Sequence, residues 1–111
     1  MAKLSRTYSR QNMEAVQLLA GMIRAGRIER KITTRDMATR AGVSRTLLQR
    51  IEEGDPNCAI GAVFEVAVIA GVALFETDPD RLQTHRAALR EKLSLLPRHA
   101  RKSKRVIHDD F

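Results

Sequence analysis

A chain of 111 residues holds one domain and a short appendage, because domains usually run to about 100–150 residues, and its single cysteine, Cys58, excludes an internal disulfide. Hydrophobic residues make up 43%, yet three Phe, one Tyr and no Trp leave Ala, Leu, Val and Ile to fill the core. The net charge of +7 is uneven: residues 1–54 hold 11 Lys/Arg against 5 Asp/Glu, residues 55–80 hold 5 acids and no base, and residues 81–111 hold 9 bases against 3 acids. Basic segments flanking an apolar, acidic centre point to a polyanionic partner. The longest apolar stretch, Cys58 to Phe75, contains Glu65 and two glycines and is shorter than the roughly 20 residues of a membrane-spanning helix. Met1 to Arg10 carries no apolar signal segment, so a cytoplasmic location is expected.

Apolar residues recur at spacings of three and four almost throughout, and alternating strand patterns are nearly absent, so the expected fold is all-α with five helices. A first helix starts after Ser9, whose hydroxyl can cap it, with Ala15, Val16, Leu19, Met22 and Ile23 on its inner face and Gly26 near its end. Thr33 or Thr34 caps a short second helix with Met37, Ala38 and Ala41 inward, and Gly42 ends it. Ser44 caps a third helix that runs to Glu52 or Glu53, before the turn Gly54-Asp55-Pro56-Asn57. A fourth, Ile60 to about Ala70, is apolar nearly all round and belongs in the middle of the domain or in a subunit interface. Asp78 and Pro79 start a fifth, to about Leu95, whose stripe of Leu82, Leu89, Leu93 and Leu96 serves either the core or a dimer seam. From Pro97 the pattern stops, and 97–111 reads as a flexible, disordered basic tail.

The stretch from Thr34 to Glu52 carries the functional signal. Two helices that cross steeply need a small residue where they touch, supplied by Ala38, and a turn that reaches positive φ cheaply, supplied by Gly42. With Val43, Leu48 and Ile51 plugging the angle, Ser44, Arg45, Thr46, Gln49 and Arg50 point outward on the third helix, and all five can donate hydrogen bonds. Residues 1–96 therefore read as a helix-turn-helix domain with a C-terminal helix.

The spacing Ala38, Gly42, Val43-Ser44, Leu48, Ile51-Glu52, Gly54 resembles the phage-repressor-like (Xre/Cro) helix-turn-helix regulators, over about Ala15 to Val72. Gly54-Asp55-Pro56-Asn57 running into Ile60–Val66, and the ending Leu96-Pro97-Arg98 through a basic run to Asp109-Asp110-Phe111, look like a narrower subgroup. Its members are HipB-like antitoxins or co-repressors encoded beside HipA-like kinase toxins. The resemblance implies a repressor, a homodimer on a roughly palindromic double-stranded operator, with a HipA-like kinase as a further partner. It places Arg45, Thr46 and Arg50 at base-contacting positions, where an arginine can bond guanine O6 and N7 together. Gln49 joins them as an outward donor on the same helix. Thr34 and Ser44 resemble positions that bind phosphate through hydroxyl, backbone N–H and helix dipole. Arg27 and Glu52 match a structural ion pair of the family. Glu53 and Asp55 depart from it, placing acid where lysines often approach the backbone, so no phosphate contact is assigned there.

Other readings compete. A helix-turn-helix can serve as a protein-interaction subunit, here one that binds a kinase with DNA contact incidental. The tail's cations can meet phosphates, or Phe111 can anchor it in a partner's pocket. Catalysis is not expected: His85, His99 and His108 lack carboxylate or cysteine at ligand spacing, Cys58 has no evident base, and no cofactor or metal motif is present.

Overall fold

A computed structural model describes residues 7–100, and all of their regular structure is helical. In chain order the helices are α1 (Arg10–Glu29), α2 (Thr34–Ala41), α3 (Arg45–Glu52), α4 (Ile60–Ala70) and α5 (Pro79–Leu95). The chain divides into two compact units, Met1–Phe75 and Glu76–Phe111, the boundary falling inside the stretch 1–96. Residues 101–111, with Phe111 and most of the basic tail, lie outside the described residues.

In the first unit the helix starts follow from side-chain caps. Ser9, Thr33 and Ser44 each accept a hydrogen bond from the backbone N–H three residues on, satisfying a donor that the helix itself leaves free. Gly42 closes α2 at φ +69° and Gly71 closes α4 at φ +78°, left-handed conformations that cost a residue with a Cβ. The core forms where the four helices meet: Ile23 from α1, Met37 and Ala38 from α2, Leu48 and Ile51 from α3, and Val66, Ala67 and Ala70 from α4, with Ile32 and Val72 from the loops. The inner face of α4 is thus central, while Ile60 and Val68 on its other side are 71% and 70% exposed.

The inward face of α1 is in part the expected one. Ile23 is buried and Val16 and Leu19 are half-buried as expected, whereas Ala15 and Met22 are exposed and Ala20, Gly26 and Arg27 are buried as well. Gly26 lies in the last turn, near the helix end as expected, and a Cβ there would run into the Ala70 carbonyl, so its missing side chain lets α1 and α4 approach closely.

In the second unit Asp78 caps α5 by accepting from the Asp80 backbone N–H, with Pro79 at the first helical position. None of its residues is buried. Leu82, Leu89, Leu93 and Leu96 are 38%, 55%, 60% and 48% exposed. Among the described residues no helix is long and apolar enough to cross a membrane.

Candidate nucleic-acid interface

Residues α2, Gly42 and α3 form a helix-turn-helix whose inner side is fixed by Met37, Ala38, Leu48 and Ile51. The Val43 N–H donates to the Ala38 carbonyl at 3.0 Å, which closes the turn, and the Ser44 hydroxyl oxygen accepts from the Leu47 N–H at 3.0 Å. With Leu48 and Ile51 inward, the helical period brings Arg45, Thr46 and Gln49 to the solvent side, and all three are exposed. Arg45 and Thr46 occupy the first turn of α3 and Gln49 the next, where its amide donates to Glu53 Oε2 at 3.0 Å.

Arg50 departs from these three. It is half-buried, and its Nε donates to Asp55 Oδ2 at 2.7 Å while Nη2 reaches the Asn57 carbonyl at 3.4 Å. The hydrogen bond Arg50 donates to Asp55, then the charge of that carboxylate, raises the Arg50 pKa further. Asp55 also accepts from the Asn57 N–H at 2.8 Å, and the Tyr8 hydroxyl donates to Asn57 Oδ1 at 3.1 Å. Arg50 is therefore tied into the turn after α3. The departure noted in the sequence, acid at position 55, has its physical effect here.

The two phosphate candidates separate as well. Thr33, not Thr34, caps α2, leaving the exposed Thr34 hydroxyl outside the cap bond, whereas Ser44 uses its oxygen as the α3 cap and keeps its hydroxyl proton to donate.

Behind α3 lies the Arg27–Glu52 pair. Arg27 donates from Nε and Nη2 to the two Glu52 oxygens at 2.7 and 3.0 Å, and from Nη1 to the Ile32 carbonyl at 3.0 Å. Only 11% and 8% of the two side chains are exposed, so this fork is a structural link from α1 to α3 and to the loop before α2. Gln17 adds a second link by donating to the Glu53 and Gly54 carbonyls at 3.3 and 3.4 Å.

Above this pair a groove of about 540 Å³ opens between α1 and α3, edged by Thr34, Arg45, Thr46 and Gln49 and, on α1, by Arg24. Sequence reasoning missed Arg24. No sequence signal marked it, because Arg24 reaches the groove only when α1 is laid behind α3. Among the described residues no cluster of three His, Cys, Asp or Glu could hold a metal ion. Comparison with known proteins finds no matching family model and no matching curated protein.

Proposed function

We propose that this chain is a sequence-specific, cytoplasmic DNA-binding repressor that acts as a homodimer on a roughly palindromic operator. The observation that carries the reading is the exposed face of α3, where Arg45, Thr46 and Gln49 stand side by side on a helix whose opposite face is locked into the core. A helix of this size fits the major groove, and the three side chains offer donors to base edges. Ser44 and Thr34 lie at the N-terminal ends of α3 and α2, where backbone N–H groups favour phosphate. A second copy doubles the buried surface, which one such module needs for high affinity.

Arg50 enters this reading in a changed role. Held by Asp55, it stiffens the turn behind the reading helix, and base contact falls to Arg45, Thr46 and Gln49. The resemblance to HipB-like proteins extends the proposal to an antitoxin or co-repressor bound to a HipA-like kinase. One feature favours such a protein partner: α5 presents a leucine stripe to solvent, flanked by Arg81, Arg86, Arg90 and Lys92.

Selection from a pool of random duplexes tests the main reading. The expected result is one enriched motif with two-fold symmetry. Arg45→Ala should then weaken binding by about 1–3 kcal/mol and relax preference at one base pair in each half-site. Absence of duplex binding at low salt would overturn it.

A further inference from the structure

Cations in the first unit divide into those already matched by a carboxylate and those that are not. Arg10 pairs with Glu14, Arg27 with Glu52, Arg40 with Asp36 and Arg50 with Asp55. Arg24 and Arg45 have no ion-pair partner among the described residues, and both edge the same groove. Of the two carboxylates that line it, Glu52 is held at both oxygens by Arg27, and Glu53 accepts from Gln49.

Arg24 makes no ion pair with that remaining acid, although both line the groove. Gln17 of α1 lies beside the turn after α3, where its amide reaches the Glu53 backbone carbonyl. Arg24 is seven residues on, which at 1.5 Å per residue is about 10 Å further along the helix on nearly the same face. That displacement runs toward Arg27 and the Ile32 carbonyl it holds, just before α2 and Thr34. The Arg24 guanidinium and the Thr34 hydroxyl supply donors at the edge of this groove.

We propose that Arg24 is a phosphate-binding residue: with Thr34 it takes a backbone phosphodiester of the duplex whose bases α3 reads. The assignment rests on the DNA-binding reading and deepens it, giving α1 a direct contact with the strand alongside α2 and α3. Arg24 positions the protein on the duplex and carries no sequence information, because every phosphate offers it the same oxygens.

The test compares wild-type protein, Arg24→Ala, Arg24→Lys and Arg45→Ala by fluorescence anisotropy on an operator duplex and a random duplex over a series of salt concentrations. Circular dichroism melting checks that each variant is folded; Arg24 is exposed and bonded to nothing in the core, so its melting should be unchanged. Arg24→Ala should weaken binding to both duplexes by the same factor and flatten the slope of log affinity against log salt by about 0.9. Arg24→Lys should restore most of that slope, because a phosphate accepts from either cation. Arg45→Ala should instead change the ratio between the two duplexes. Wild-type slope and affinity in Arg24→Ala, with Arg45→Ala impaired, would overturn the assignment and leave the α3 reading standing. A changed base preference in Arg24→Ala would make it a base reader and also overturn the assignment. A wild-type protein that binds neither duplex would overturn both readings together.

Discussion

Two arginine–carboxylate pairs brace α3, one on either side, and their shortest contacts are both 2.7 Å. Arg27–Glu52 is walled in by α1 and the loop before α2, with 11% and 8% of the side chains exposed, whereas Arg50–Asp55 lies in the following turn with 43% and 29% exposed. Distance is therefore a poor guide to what each contributes. A buried pair has given up its hydration, so removing either partner strands a charge with nothing to replace it. Water and salt can take over when an exposed pair is broken. The first pair belongs to the fold and the second to the local shape of a turn.

Removing one carboxylate at a time is the most direct way to break that comparison. Glu52→Ala should lose about 3–5 kcal/mol of stability in urea unfolding, because Arg27 stays buried without its partner. Asp55→Ala should leave the unfolding midpoint nearly unchanged, and whatever small effect it has should fade in high salt. Equal losses in the two variants would show that exposure does not separate the pairs.

A smaller effect, with neither charge nor burial behind it, is expected at the turn that joins α2 to α3. A Cβ at Gly42 would meet nothing within 4 Å, yet its φ of +69° disfavours L side chains. Gly42→Val should cost about 1–3 kcal/mol, all of it conformational, and Gly42→Asn clearly less, because Asn visits the left-handed region more readily. Thermal unfolding of both variants measures the difference. Identical melting of wild type and Gly42→Val would remove strain from the account.

The least effect concerns Cys58, close to the exposed pair. Burial pushes its thiol pKa up, Asp55 adds to the rise and Arg50 opposes it. Alkylation needs the thiolate, so the rate–pH curve of the folded protein should lie at higher pH than that of the urea-unfolded chain. Arg50→Ala should move it higher still. A folded-state pKa above the unfolded value gives stability that is complete below the unfolded pKa, about 8.5, and declines as pH rises through the folded one. Coincident folded and unfolded curves would mean that the turn leaves the thiol in water.

Local chemistry made much of the fold legible in advance. Ser9, Ser44 and Asp78 as caps, Gly42 at positive φ, and Met37, Ala38, Leu48 and Ile51 inward each follow from a residue and its near neighbours. The face of α1 was legible only in part: Val16, Leu19 and Ile23 inward follow from the helical period, whereas the burial of Gly26 depends on its meeting Ala70 across the fold. The same holds for the candidate site. Arg45, Thr46 and Gln49 could be put outward on helical period alone, but Arg50's engagement by Asp55 needs the chain to reverse at Gly54, and Arg24 joins Arg45 only once α1 is laid behind α3. What covers the α5 stripe was not legible, since periodicity counts apolar residues without revealing what lies against them.

The links from α1 to α3 bear on the cost of recognition. An isolated eight-residue helix in water would spend most of its time uncoiled. Gln17 holds the carbonyls at the far end of α3 and Arg27 holds Glu52, so this helix cannot fray without pulling on the 20-residue α1 behind it. Its opening is thereby coupled to that of the whole unit. A ligand meeting α3 finds a backbone already ordered, and little disorder remains to be lost when the two associate.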